Sequence, residues 1–224
     1  LYTDNAGDSE DNCGDSNTID DITTTSVDTS LFPDLEFLTD MGTTDNVNYD
    51  YLYLQGGRSF SIWDASDFSA PVFDSGDAFE KRMLADFPDN FNAADDSNKL
   101  DKRAAKSGPE PEALALGKIG DYQLAFIGME KMGGIMIFDI TDPTNSKLLD
   151  YTNNRDYTYN YDKFDKKHDD YDPTATADEP GDIAPEGMIF IPAADSPNGQ
   201  NLLVVCNEVS GTITIYSVSY EIKN

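Results

Sequence analysis

Glutamates recur at matching positions of two similar segments of the chain, and they are the residues best placed to do chemistry. A Pro-Glu pair opens each segment and contributes Glu112 and Glu186, and Glu110 directly precedes the first pair. Glu130 and Glu208 follow the apolar run that comes next in each segment. Ca²⁺ prefers oxygen ligands, so carboxylates gathered from neighbouring segments would form a calcium site. A structural role explains the repetition equally well, because every copy of a repeat needs the same backbone hydrogen bonds.

Glu130 and Glu208 end strand-like runs, where a buried carboxylate needs either a metal ion or a paired cation. We predict that Arg58 and Arg155 supply the cations, and we favour structural pairing over metal binding for these two glutamates. Both nevertheless belong to the predicted set of calcium ligands, which is Glu110, Glu112, Glu130, Asp182, Glu186 and Glu208.

Residues 152–182 form an insertion that is rich in aspartate and tyrosine. It contains eight aspartates, of which Asp182 is the last, and four tyrosines. Hard oxygen ligands at this density suit Ca²⁺ or a mineral face. The spacing matches no EF-hand loop, because such a loop has glycine at its sixth position and glutamate at its twelfth. A solvated insertion without a ligand is the alternative.

Histidine and cysteine are too scarce for most catalytic and metal sites. His168 is the single histidine and lies in a polar loop, so a Ser-His-Asp triad would depend on it, and a histidine-rich metal site is excluded. No P-loop, dinucleotide or Gly-x-Ser-x-Gly motif is present. Cys206 lies in an apolar run, where burial is expected, and a bridge from it to Cys13 is left open.

The charge balance excludes two classes of partner. The chain has 224 residues, with 43 Asp and Glu against 15 Lys and Arg, and a net charge of −28. We expect no binding to nucleic acid, because no basic stripe is available to neutralise phosphates. Since no apolar run reaches 18 residues, we expect no direct membrane insertion. Aspartates outnumber glutamates 33 to 10, which is typical of a loop-rich β protein rather than a helical one.

Short alternating segments must position these carboxylates. Residues 51–54 are predicted to form a strand that returns antiparallel through residues 59–63, and residues 71–73 are predicted to be a third strand. Residues 77–87 have apolar positions at helical spacing before Pro88, which predicts one short helix.

Strand patterns recur around residues 111–140 and 185–216, which is the signature of a repeat. Antiparallel units that cannot bury both faces alone must stack on copies of themselves, as blades of a β-propeller do. We therefore predict an all-β fold of about three propeller-like blades, near residues 31–76, 110–151 and 185–221, after an acidic N-terminal tract at residues 1–30. Three blades make an incomplete propeller, so we expect another chain, or missing N-terminal blades of the same precursor, as the partner.

Several strings along the chain resemble the choice-of-anchor I family. They begin at Gly56-Gly57-Arg58-Ser59-Phe60-Ser61-Ile62-Trp63-Asp64 and continue through Gly108-Pro109-Glu110-Pro111-Glu112, Asn153-Asn154-Arg155-Asp156, Ala184-Pro185-Glu186-Gly187, residues 191–199 and Asn207-Glu208-Val209-Ser210-Gly211-Thr212. The resemblance covers about residues 49–218 and implies a secreted or surface-anchored β-propeller, of which these strings form the C-terminal portion.

The resemblance and the composition together predict an extracellular or cell-surface protein. We expect a calcium-associated protein that acts in binding, adhesion or interaction with matrix or mineral. One alternative is a calcium-dependent phosphoesterase similar to alkaline phosphatase, with catalytic residues that the sequence does not identify. A second alternative is a structural subunit of a larger extracellular assembly. The first residue is Leu1 rather than Met, so we expect a processed piece of a longer precursor.

Overall fold

A computed structural model describes residues 16–18, 36–38, 40–42, 51–164 and 166–220. The strands are β1 Ser16–Thr18, β2 Glu36–Leu38, β3 Ser61–Ile62, β4 Phe73–Asp74, β5 Pro111–Ile119, β6 Tyr122–Met129, β7 Ile135–Asp139, β8 Lys147–Thr152, β9 Pro185–Ile191, β10 Leu202–Asn207 and β11 Thr212–Ser217. All pairings between these strands are antiparallel. The all-β prediction is confirmed, whereas closure into a propeller stays a prediction.

One α-helix, α1, is present in the described part of the chain, and it spans Ala78–Asp86, as the spacing predicted. It ends where Pro88 begins a short 3₁₀ turn, Pro88–Asn90, because proline has no N–H to continue the helical bonds. A second 3₁₀ turn, Tyr161–Phe164, lies in the acidic insertion. Among the described residues, no helix has the length and apolar character to cross a bilayer.

The predicted hairpin between residues 51–54 and 59–63 is wrong. Residues 51–54 are not in a strand, and β3 pairs instead with β4, close to the third strand that the sequence predicted. Arg58 explains the difference, because its guanidinium donates to the carbonyl oxygens of Ala104 and Lys106 at 2.6 and 2.7 Å. These bonds hold the segment that precedes β3 against residues 104–106. The segment therefore does not form the tight turn that the predicted hairpin requires.

The four-stranded sheet β5–β8 is the centre of the molecule, and both of its faces are covered. On one face Ile127 and Phe138 pack against Phe60 and against α1 through Phe79. On the other face Phe126 packs towards the last sheet. Burial on both sides explains why β6 is almost continuously apolar instead of alternating.

The three-stranded sheet, in the order β11–β10–β9, packs one face on β5–β8. Phe190 of β9 stacks on Phe126 with 5.7 Å between ring centroids. Gly117 of β5 permits this approach, because a Cβ atom at that position would lie 2.6–2.8 Å from the Phe190 ring. The glycine therefore sets the distance between the two sheets.

Cys206 is exposed, which corrects the prediction that it is a buried apolar residue. Side chains alternate along β10, so Leu203 and Val205 face the core while Cys206 points to the other side of the sheet. Cys13, the acidic tract at residues 1–30 apart from β1, and the stretch at residues 43–50 lie outside the described residues, so the predicted bridge stays a prediction.

We predict that Gly117→Ala lowers the free energy of unfolding by about 1–3 kcal/mol, because the added methyl overfills the space beside Phe190. Urea unfolding followed by circular dichroism measures the change. Gly187→Ala is the matched control, since its Cβ atom would meet nothing nearer than 3.7 Å. Equal stability of Gly117→Ala and the native protein would show that the sheets are not in tight contact there.

Candidate functional site

The recurring glutamates lie together because strand pairing brings the start of one strand beside the end of the next. Pro111 at the start of β5 pairs with Met129 at the end of β6. The Glu130 N–H donates to the Glu110 carbonyl oxygen at 2.9 Å. Glu110 has a φ of +49°, a left-handed conformation that is strained for a residue with a side chain.

The second segment has the same backbone geometry. Ala184 takes the place of Glu110 with a φ of +61°, and its carbonyl oxygen accepts the Glu208 N–H at 2.8 Å. In each segment the strand register shifts by one residue, and the residue passed over is Glu112 in β5 and Glu186 in β9. The Pro-Glu repeat therefore marks a β-bulge at the start of the first strand.

Lys131 occupies the centre of the carboxylate cluster in the first segment. Its Nζ lies 2.5 Å from Glu130 Oε1, 3.2 Å from Glu110 Oε2 and 3.2 Å from Asp95 Oδ2. Arg103 adds a second cation, with Nη2 at 2.7 Å from Glu110 Oε1. The Lys131 side chain is only 14% exposed, so these contacts are shielded from water.

Burial and pairing shift the pKa values of this cluster in opposite directions. Burial raises the pKa of Glu110 and of Glu130, because it penalises the ionised carboxyl, although the charge of Lys131 opposes the shift. Burial lowers the pKa of Lys131, but the hydrogen bond to Glu130 and the charges of Glu110 and Asp95 outweigh it, so its pKa is raised. Lys131 therefore stays protonated wherever the protein is folded at ordinary pH.

The second segment does not form such a cluster. Glu186 and Glu208 are both exposed. Ala184 stands where the first segment has Glu110, and Val209 stands where it has Lys131. The backbone of the repeat is thus preserved, while its charge cluster is present only once in the described part of the chain.

Asp182 is held by hydroxyl groups of β11. Its oxygens accept bonds from Thr212 Oγ1 at 2.7 Å and Thr214 Oγ1 at 2.6 Å, and Asn154 Nδ2 donates at 2.8 Å. Burial alone would raise the pKa of Asp182, but these donors outweigh it and lower the pKa. The carboxylate joins the end of the acidic insertion to the last sheet.

Both predicted arginine partners have other contacts. Arg58 forms its ion pair with Glu80 of α1 at 2.7 Å. Arg155 is buried, and it donates to the carbonyl oxygens of Lys131 at 2.8 Å and Ala94 at 2.6 Å. Its guanidinium also lies 5.0 Å from the centre of the Tyr157 ring. Arg155 therefore holds the insertion to the Lys131 turn through neutral groups.

Sequence reasoning missed three members of the site, namely Lys131, Arg103 and Asp95. The position of Lys131 directly after Glu130 was the available signal in the sequence. Adjacent side chains at the end of a strand often point in opposite directions, however, so this signal did not predict a contact. Asp95 and Arg103 lie in the connector between α1 and β5 and show no pattern that relates them to Glu110. Only the folded connector brings them there.

The cluster is suited to charge balance rather than to holding a metal ion. Glu110 and Glu130 face an ammonium and a guanidinium, so their charge is already compensated. Across the described residues, no three His, Cys, Asp or Glu side chains come together in an arrangement that could hold a metal ion. The geometry supports a structural role for this cluster at the junction of β5, β6 and the connector.

We predict that Lys131→Met lowers the free energy of unfolding by about 3 kcal/mol at neutral pH, because partly buried carboxylates lose their cation. Without the ammonium, the folded-state pKa values of Glu110 and Glu130 rise further above those of the unfolded chain. At pH values above the ordinary glutamate pKa, the folded variant then binds more protons than the unfolded chain. The free energy of unfolding of the variant therefore increases as the pH falls towards that pKa.

Urea unfolding at neutral and mildly acidic pH tests this prediction. Lys81→Met is the matched control, since Lys81 pairs with Asp77 in an exposed ion pair and its loss costs less than about 1 kcal/mol. A Lys131→Met defect that does not shrink on acidification would contradict the role assigned to the carboxylates.

Comparison with known proteins shows that the chain is similar to two named proteins. Gigasin-3a of Magallana gigas is 29% identical over 194 residues, covering 84% of this chain and 65% of gigasin-3a. The mesenchyme-specific cell surface glycoprotein of Strongylocentrotus purpuratus is 30% identical over 110 residues, covering 44% of this chain and 14% of the glycoprotein. The chain thus spans less than two thirds of either relative. No solved structure matches it.

The choice-of-anchor I domain matches residues 2–143. The match begins well before the strings that carry the resemblance and ends before β9, so the two overlap over residues 49–143. Because residues 2–143 make up more than half of the 224 residues, the protein belongs to the choice-of-anchor I family.

Proposed function

We propose that this protein is an extracellular or cell-surface protein that acts by binding, and that its exposed aspartates associate with Ca²⁺ or with a calcium-containing solid. The name of the Strongylocentrotus relative, a cell surface glycoprotein, supports the location. The net charge of −28 supports a cationic partner, because a field of this sign attracts multivalent cations and repels acidic surfaces.

The observation that carries the proposal is a repeated surface turn that presents an ionised aspartate. In each turn one carboxylate oxygen accepts the N–H of the residue two positions on, which is serine or threonine. The distance is 2.8 Å at Asp64, 3.0 Å at Asp67, 3.0 Å at Asp142 and 2.8 Å at Asp156. All four residues are exposed.

These turns keep the carboxylates charged. Hydrogen bonds from the Ser or Thr side chain and backbone lower the pKa of Asp64, Asp142 and Asp156 below the ordinary aspartate value. At Asp67 the backbone N–H of Ser69 is the main cause of the same shift. The surface therefore stays negative at neutral and mildly acidic pH, which is the condition for recruiting divalent cations.

This surface is suited to weak binding of several calcium ions rather than to tight binding of one. A calcium cage needs six to eight oxygen ligands, and the described residues contain no group of three ligands arranged around one point. Single carboxylates spread over loops bind cations with dissociation constants on the order of a millimolar or weaker. Such binding depends on the density of charge, and salt screens it.

The described residues support a binding function better than an enzymatic one. His168 is half exposed, and its Nδ1 lies 3.6 Å from Asp162 in the acidic insertion. The partly buried carboxyls of Glu110 and Glu130 face Lys131 and Arg103 rather than an open cleft. Accessible carboxylates such as those of Asp64, Asp142 and Asp156 lie on different turns, an arrangement suited to contact with an extended surface.

We predict that replacing the five turn aspartates by asparagine lowers the calcium bound at equal free calcium by about a fifth, in proportion to five charges out of a net 28. Asparagine retains the oxygen that accepts the N–H bond, so the turns stay folded. The five positions are the four above, Asp64, Asp67, Asp142 and Asp156, together with Asp172, whose carboxylate accepts the Thr174 N–H at 2.8 Å. Equilibrium dialysis against Ca²⁺ at low and physiological salt measures the binding.

The control variant carries Ser66→Thr, Thr144→Ser and Thr158→Ser, which keep each hydroxyl and change no charge. It should bind as much calcium as the native protein. A single stoichiometric site of micromolar affinity that survives physiological salt would contradict the proposal. Chelator-sensitive hydrolysis of a phosphate ester at ordinary enzyme rates would replace it with the phosphoesterase alternative.

A further inference from the structure

The acidic insertion is a loop whose two ends are bonded to each other. The Asp156 N–H donates to the Pro180 carbonyl oxygen at 2.8 Å. Beside this bond, Asn154 Nδ2 donates to the Asp182 carboxylate at 2.8 Å, and Asn154 Oδ1 accepts the Asp182 N–H at 3.2 Å. The base of the insertion therefore holds together independently of its far end.

Each end of the insertion is also attached to a different sheet. On the first side, Arg155 is buried and donates to the carbonyl oxygen of Lys131, in the turn that follows β6. On the second side, the Asp182 carboxylate accepts bonds from Thr212 and Thr214 of β11. A cut at the far end of the insertion would thus leave both of its ends anchored.

Backbone bonds hold the two limbs of the insertion together for only part of their length. Among the described residues, the outermost such bond joins the Asp172 N–H to the Lys163 carbonyl oxygen at 3.0 Å. Residues 166–171 lie beyond it, and we call them the tip. Exposed side chains connect the tip to the limbs, as where His168 Nδ1 lies 3.6 Å from Asp162. Exposed contacts of this kind contribute little to stability, so the tip can open locally while the core stays folded.

The tip carries two adjacent basic residues, Lys166 and Lys167, and both are exposed. Exposed loop tips with polar residues are the preferred sites of proteolytic cleavage. A serine endoprotease of the trypsin type selects a basic side chain, because a carboxylate lies in its specificity pocket. The tip therefore combines the residue type that such a protease recognises with a backbone that it can reach.

The sequence contains two other adjacent basic pairs, and the structure shields both of them. Residues 81 and 82 lie within α1, where helical hydrogen bonds hold the backbone. Arg103 follows Lys102 in the connector, but its Nη2 pairs with Glu110 at 2.7 Å and its N–H donates to the Asn92 carbonyl oxygen at 2.9 Å. A protease would have to break these contacts before it could bind either pair.

We propose that a trypsin-like endoprotease cuts the chain after Lys166 or Lys167, and that the protein then persists as two chains joined by the packing of its sheets. Water adds across the peptide bond, which leaves a carboxylate on the lysine and an amino group on the next residue. The second chain carries the whole of β9–β11. That sheet stays packed on β5–β8 through contacts such as the stacking of Phe190 on Phe126.

Limited digestion of the folded protein with trypsin, followed by mass spectrometry, tests the proposal. Apart from trimming at Lys223, we expect the first products to be the two pieces that meet at the tip. Both pieces should elute together from a size-exclusion column under reducing, non-denaturing conditions. The double variant Lys166→Gln/Lys167→Gln should slow this first cut at least tenfold, and circular dichroism verifies that it folds.

Lys99→Gln/Lys102→Gln is the matched control, because it removes two positive charges from exposed positions of the connector. It should be cut at the tip at the native rate. A first cut after Lys99, Lys102 or Arg103, or an unchanged rate in the tip variant, would overturn the assignment of the site. Separate elution of the two pieces would overturn the two-chain product.

The natural form of the protein provides a second test. Protein isolated from its natural source should contain a chain that begins at Lys167 or His168, which N-terminal sequencing detects. A population that consists only of chains intact across the tip would refute cleavage there as a natural processing step.

Discussion

The pairing of Lys131 with Glu110 and Glu130 is the interaction on which the arrangement of this protein depends. Antiparallel pairing of β5 with β6 brings the start of one strand to the end of the other, and both positions carry a glutamate. Two partly buried carboxylates in contact would oppose this pairing unless a cation compensated them. The ammonium of Lys131 does so, and its carbonyl oxygen also accepts the bond from Arg155. One turn therefore connects the central sheet, the connector and the acidic insertion.

The stacking of the sheets explains where the acidic residues of this chain lie. The sheet β5–β8 is covered on both faces, so its strands have little room for charge. Most charged residues of the described part of the chain lie in turns, connectors, α1 and the insertion, where aspartate also stabilises the turns through its side-chain hydrogen bonds. The face of β9–β11 that points away from β5–β8 is the exception, because Ile189, Ile213 and Ile215 are exposed on it. The acidic surface and the apolar face are thus two results of one layered architecture.

Much of the fold could be predicted from local patterns. The helix at Ala78–Asp86 and the strands β5–β7 and β9–β11 follow from spacing, from proline and glycine positions and from the repeat, whereas β8 was not predicted as a strand. The strand at residues 51–54 was predicted wrongly, because alternating Tyr and Leu are also compatible with an exposed extended segment. Its true conformation depends on Arg58 reaching carbonyl oxygens more than forty residues away. No local pattern contains that information.

By itself the sequence determined the fold class, the repeat and the positions of its glutamates, because strand periodicity and β-bulges are properties of short segments. It also determined the sign of the surface charge. Only the tertiary structure decided what the glutamates do, since Asp95, Arg103 and Lys131 meet Glu110 through contacts between distant segments. Likewise only the structure showed Cys206 to be exposed, because an apolar strand reveals its two faces but not which of them is covered.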